Sequence, residues 1–178
     1  MKFWQQLLTQ LQQTKKIYLL TVIQNSGSSP GRKGFKMFVA EDGYIYGSIG
    51  GGVMEFSLVE EAKLLLQGNE QSIFYKKQIH KGSGKNGSGM ICSGEQTVVF
   101  HPLNKTHILL ITDVIQCLEN NQKKTINFSP TGISIDKKNI EDKYQVNIHS
   151  ETNWLYQENI GFNETIYIVG GGHVSLSV

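Results

Sequence analysis

Phe35-Lys36-Met37-Phe38-Val39-Ala40-Glu41-Asp42-Gly43-Tyr44-Ile45-Tyr46-Gly47-Ser48-Ile49-Gly50-Gly51-Gly52-Val53-Met54-Glu55 is the stretch that decides the fold. Two apolar β-forming runs, Phe35–Ala40 and Tyr44–Ile49, flank Asp42-Gly43, a dipeptide suited to a tight turn between antiparallel strands. Three glycines then lead into Val53–Gln67, where Met54, Leu58, Ala62 and Leu65 share one helical face and Gly68 supplies a stop. Strand, turn, strand, glycine loop, helix is a local order that points to α+β architecture. Glycine is conformationally costly, so three in a row at a strand-to-helix junction have a structural reason. Two readings are open. One is a tight turn that lets helix and strand pack closely. The other is a loop whose bare N–H groups, at a helix N-terminus, receive a phosphate or another anion.

Outward from that stretch, Phe3, Leu7 and Leu11 recur at helical spacing, with Trp4 and Leu8 beside them, and predict an amphipathic helix over 2–14. Ile17–Ile23 is a continuous apolar run and reads as a buried strand. Ser72–Ile79 and Glu95–His101 read as further strands, separated by a glycine, serine and lysine loop. Within 107–121 the later part, Asp113–Asn120, reads as helix. Residues 124–149 alternate as two or three strands, turning near Pro130 and Asp136. A loop over Gln157–Asn163 reads as a domain boundary. After it, Thr165–Val169 runs into Gly170-Gly171-Gly172-His173-Val174, the way a dinucleotide-binding unit opens. The expected fold is thus a mostly antiparallel mixed sheet with packed helices over residues 1–160, followed over 164–178 by the first strand of a truncated Rossmann-like domain.

Composition narrows the function. The 178 residues are 39% hydrophobic, which suits a globular core. A net charge of +2, with no basic block carrying interleaved aromatics, argues against nucleic acid as a partner. No apolar run is long enough to span a bilayer. The start, Met1-Lys2-Phe3-Trp4-Gln5-Gln6, lacks the pattern of a signal peptide. Cys92 and Cys117 are the only cysteines and form neither a disulfide framework nor a zinc set. A cytoplasmic location is the simplest expectation.

Three glycine-containing segments could carry chemistry. In the first, Gly27-Ser28-Ser29-Pro30-Gly31-Arg32-Lys33-Gly34, the Arg32 guanidinium suits a planar oxyanion, or else caps a solvated loop. In the second, Ser48–Glu55, Glu55 stands in the first helical turn. There it either complements the helix dipole or accepts hydrogen bonds from a heterocycle. In the third, Ser88–Glu95, Cys92 is either a small buried hydrophobe or an accessible thiol near backbone donors, able to hold a soft metal or carry sulfur. Cys117 lies on a helix face and reads as structural. None of the histidines pairs at metal-binding spacing, and only His173 lies in a glycine turn.

Together these segments resemble the XdhC/CoxI family of maturation factors for xanthine dehydrogenase and carbon monoxide dehydrogenase. The resemblance rests on Gly27–Met37, on Asp42-Gly43 leading to Gly47–Glu55, and on Met90-Ile91-Cys92-Ser93-Gly94. It covers about residues 15–103, and Ile168–Val174 looks like the opening of the family's Rossmann domain. It implies a cofactor-binding chaperone rather than an enzyme. Such a factor binds molybdenum cofactor (molybdopterin), supports its sulfuration and delivers it to a molybdenum hydroxylase client, with a cysteine desulfurase as a further partner. By position, Arg32, Ser48, Gly50, Gly51, Gly52, Glu55, Cys92, Ser93 and Gly94 would line the cofactor cleft, and Cys92 would meet the molybdenum. Gly170, Gly172 and His173 would belong to the second domain, where NAD(P) is implied only for a complete protein. The chain departs from the pattern at Gly31, since some members carry arginine directly after the proline, and at Ser93, where some carry glycine. Two alternatives stand beside it: a fragment of an NAD(P)-dependent oxidoreductase, and a sulfurtransferase with Cys92 as carrier. A last expectation is that residues 165–178 pair with the N-terminal domain or with another copy, giving a homodimer.

Overall fold

The computed structural model describes residues 1–13, 15–68, 72–80 and 94–161. In chain order the elements are α1 (Lys2–Gln12), β1 (Ile17–Gly27), β2 (Lys36–Ala40), β3 (Ile45–Gly47), α2 (Gly52–Gln67), β4 (Phe74–His80) and β5 (Gly94–Leu103). After a short 3-10 turn (Lys105–His107) come α3 (Ile108–Glu119), β6 (Lys124–Ser129), β7 (Gly132–Asp136), β8 (Tyr144–Ser150) and β9 (Asn153–Ile160). They form two sheets, ordered β3-β2-β1-β5-β4 and β7-β6-β9-β8, with every pairing antiparallel. The α+β class and the antiparallel pairing read from the sequence are those observed. Residues 162–178, with the expected Rossmann strand, Gly170, Gly172 and His173, lie outside the described residues. So do Cys92 and Ser93.

β1 explains the layering. It is central in the first sheet and buried without a break from Ile17 to Ile23, because both faces are covered. Tyr18, Leu20 and Val22 meet Leu58, Val59, Ala62 and Leu66 of α2. Ile17, Leu19 and Ile23 point the other way, toward Trp4, Leu7 and Leu11 of α1, Ile111 and Val114 of α3, and Phe128, Trp154 and Tyr156 of the second sheet. The hairpin forms where Asp42-Gly43 predicted it. Ala40 N–H donates to Tyr44 O at 2.8 Å, and Asp42 Oδ1 accepts from Tyr44 N–H at 3.2 Å.

Three details differ from the sequence reading. The buried stripe of α2 is Leu58, Val59, Ala62 and Leu66, turned from the expected one; Met54 and Leu65 sit at its margin. α3 begins at Ile108 rather than Asp113, because Asn104 caps the preceding turn by accepting from Thr106 N–H at 2.9 Å. Gln157–Ile160 belong to β9, between β6 and β8, and are no loop. Their polar side chains misled the reading, since each is satisfied inside the fold. Gln157 donates to Asn127 Oδ1, Glu158 pairs with Lys36, and Asn159 donates to the carbonyls of Ile140 and Asp142. Cys117 is structural, as read. Its thiol is buried, donates to Gln122 O at 2.6 Å, and has its pKa raised by that burial.

His101 of β5 joins the two sheets. Its ring packs edge-on to Phe128 and Trp154, and Nε2–H donates to Ser129 O at 3.1 Å. Burial pushes its pKa down from 6.5 to about 4, so the folded ring is neutral where an unfolded one already protonates. The sign follows: this contribution is complete above pH 6.5 and is lost as pH falls toward about 4. In full it amounts to about 3 kcal/mol. His101→Leu is therefore expected to flatten the fall of Tm across that window relative to wild type, read by thermal unfolding at a series of pH values. Identical slopes for the two proteins would contradict it.

Candidate functional site

The first two glycine segments and the end of the third, at Gly94, meet at one end of the first sheet. β1 runs on to Gly27, which pairs with Gly94 at the start of β5. The chain then folds back, and Gly34 N–H donates to Val22 O at 2.8 Å while Val22 N–H donates to Phe35 O at 2.9 Å. This closed loop touches both other segments through bare backbone. A Cβ on Gly31 would lie 2.3 Å from Ile49 O, one on Gly50 would lie 2.6 Å from Gly31 N, and one on Gly94 would lie 2.5 Å from Ser29 N. Only glycine permits that approach.

Gln96 ties the junction together, and the sequence reading missed it. Its side chain is buried. Oε1 accepts from Ser29 Oγ at 3.1 Å and from Gly31 N–H at 3.2 Å. Nε2 donates to Gln78 Oε1 at 2.8 Å, and Gln78 Nε2 donates to Met54 O at 3.2 Å. One relay of two amides thus joins the first segment, β5, β4 and the first turn of α2. The available signal was the alternation of β5, which places Gln96 on the inward face with Val98 and Phe100.

Glu55 does something neither sequence reading anticipated. Its Oε2 accepts from Ser48 Oγ at 2.8 Å, Ile49 N–H at 2.8 Å and Gly51 N–H at 2.9 Å. Ser48 Oγ in turn accepts from Gly50 N–H at 3.2 Å. The glycine loop is therefore wrapped round the protein's own carboxylate and is not bare. What stays open is the helix end itself. Gly52 and Val53 begin α2, both are exposed, and first-turn N–H groups have no partner within a helix.

Arg32 is exposed on the rim of the first segment, and among the described residues its guanidinium makes no ion pair. Lys33 is held lower, its N–H donating to Asn25 Oδ1 at 2.9 Å. Arg32, Ser48, Gly50, Gly51, Gly52, Glu55 and Gly94 thus belong to one end of the first sheet, while Cys92 and Ser93 precede Gly94 outside the described residues. Beside Gln96 a polar cleft of about 230 Å³ opens, lined by Asn25, Ser26, Lys77 and Glu95 among others, and Lys77 pairs with Glu95 across it. Among the described residues no cluster of His, Cys, Asp and Glu stands ready to hold a metal ion. No helix there is long and apolar enough to cross a membrane.

Comparison with known proteins bears on this same region. Residues 10–76 match the XdhC and CoxI family. The uncharacterized protein YqeB of Escherichia coli is 34% identical over 77 residues, which is 43% of this chain and 14% of YqeB. A crystal structure of a xanthine dehydrogenase from Bacillus halodurans is similar with a TM-score of 0.57 and 25% identity, over 72% of this chain and 39% of that one. The chain therefore spans less than half the length of either relative. The family match contains β1, the first glycine segment, the hairpin, the second glycine segment and α2, and so holds Arg32, Ser48, Gly50, Gly51, Gly52 and Glu55. Over residues 10–76, which hold most of these site residues, the chain is thus similar to the XdhC and CoxI family.

Proposed function

We propose that this protein is an accessory factor that carries molybdenum cofactor, supports its sulfuration and hands it to a xanthine dehydrogenase-type molybdenum hydroxylase. The observation that carries the reading is the meeting of the first and second glycine segments at the open N-terminus of α2, inside the stretch that matches the family. The cargo has an anionic phosphate, a pterin and a dithiolene-bound metal. The exposed first turn at Gly52–Val53 and the exposed Arg32 offer donors and positive charge for the phosphate. Glu55 fixes the loop that presents that helix end, so its role is positioning. Cys92, two residues before Gly94, supplies a soft ligand or a sulfur carrier for the metal end. Residues 1–160 form the cargo-handling domain in this reading, and 164–178 open a second one.

A host lacking the factor, supplied with wild-type protein or with Cys92→Ala, tests the reading. The client hydroxylase is expected to regain activity with wild type. With the variant it should lose roughly tenfold or more, while far-UV circular dichroism is expected to stay unchanged because the substitution removes a single sulfur atom. Equal activation by both would return Cys92 to a structural role. No activation by wild type would remove the maturation reading itself.

A further inference from the structure

A second cavity, of about 420 Å³, opens between the first and second glycine segments and the N-terminal turn of α1, with Phe3, Trp4, Phe35, Lys36, Ser48 and Glu158 in its lining. Its size is that of a small-ligand pocket. Its floor is an ion pair, Lys36 Nζ to Glu158 Oε2 at 2.5 Å, whose side chains are 8% and 14% exposed. Lys36 also donates to Gly34 O at 3.0 Å and lies 5.9 Å from the ring centres of Trp4 and Phe128. Tyr156 O–H donates to the same Oε2 at 3.1 Å. Both bonds to the carboxylate thus fall on one oxygen, and among the described residues Oε1 receives none. Phe35 stands at the cavity 44% exposed, a large aromatic side chain left partly uncovered.

These features select a ligand. A carboxylate oxygen with spare lone pairs calls for an N–H donor. Lys36 already neutralises the pair, so an ammonium gains little there, and an anion is repelled by the uncovered oxygen. The aromatic lining favours a planar ring. We infer that this cavity binds an uncharged planar nitrogen heterocycle, whose N–H edge donates to Glu158 Oε1 while its face lies against Phe35. An aminopyrimidinone ring has that chemistry, and both pterins and guanine contain it. The inference deepens the reading above, because it gives one part of the proposed cargo a seat next to the glycine loops, with Ser48 shared between cavity and loop.

The test is titration of the full chain with free pterin, guanosine and unsubstituted pteridine, which lacks N–H donors, followed by tryptophan fluorescence. Pterin is expected to bind roughly tenfold more tightly than pteridine, the effect of one hydrogen bond to a charged acceptor. Glu158→Gln should remove that difference. Because this variant also loosens Lys36, Phe35→Ala provides a second test on an exposed side chain, with pterin affinity expected to fall severalfold. Guanosine binding as well as pterin would make the site a purine seat; pterin alone would make it a pterin seat. Equal binding of pterin and pteridine, or unchanged affinity in Phe35→Ala, would overturn the inference. Pterin binding by a protein that never carries molybdenum cofactor would leave the pocket standing and remove the cargo reading. Cofactor carriage without pterin binding in this cavity would do the reverse.

Discussion

Gly31→Ala is expected to lower stability by about 3–5 kcal/mol, combining steric overpacking with the loss of buried hydrogen bonds. The added Cβ would lie 2.3 Å from Ile49 O and 2.3 Å from Gln96 Oε1. Neither neighbour can yield cheaply. Ile49 is held by its N–H bond to Glu55 and by a fully buried side chain. Gln96 could swing away only by breaking its bonds to Ser29, Gly31 and Gln78. Urea denaturation gives the measurement, with Gly43→Ala as control. Gly43 has positive φ, but a Cβ there meets nothing within 4 Å, so its cost is backbone strain of about 1 kcal/mol. A Gly31→Ala protein no less stable than the control would contradict the described meeting of loops.

Lys36→Met should cost a similar amount, about 3–5 kcal/mol, the range for removing one member of a buried ion pair. The lysine is on β2 and the glutamate on β9, so the pair pins the first sheet to the second. Without the ammonium, Glu158 keeps one hydrogen bond, from Tyr156, in a setting that is mostly buried. Burial and the neighbouring carboxylate already raise the Tyr156 pKa, so that hydroxyl remains a proton donor to Glu158. The double variant Lys36→Met/Glu158→Leu should recover much of the loss, because two apolar groups leave no charge unpaired. Denaturation midpoints of the single and double variants decide it. A double variant as unstable as the sum of the two singles would show that the residues act independently.

Local signals and distant partners divide what the sequence disclosed. Asp42-Gly43 sets its own turn, and Ile17–Ile23 and Val53–Gln67 announce a two-sided buried strand and a helix through nearest neighbours alone, so these were legible. β9 was not, because Gln157, Glu158 and Asn159 look solvent-facing until their partners are known. Lys36 lies 122 residues from Glu158 along the chain, and Gln96 lies 67 residues from Ser29. No window of sequence contains such pairs. The site divides the same way. Spacing and glycine content singled out Arg32, Ser48, Gly50–Gly52, Glu55 and Gly94, and the fold brings these to one end of the sheet. That Glu55 closes the loop on itself depends on how the chain bends at Gly50 and Gly51, both with positive φ, which residue types permit but do not dictate. The second sheet's contribution, above all Glu158, depends on packing between sheets and left no local mark.

The central claim, that this protein holds molybdenum cofactor at the glycine loops, is tested most directly by purifying it from a molybdate-fed host and measuring bound molybdenum and pterin by mass spectrometry. Wild type should carry the cofactor. Arg32→Ala should carry roughly tenfold less, since one charge-assisted bond to phosphate contributes about 1.5–3 kcal/mol. Wild-type protein free of molybdenum and pterin, from a host whose own hydroxylase is fully loaded, would contradict the account.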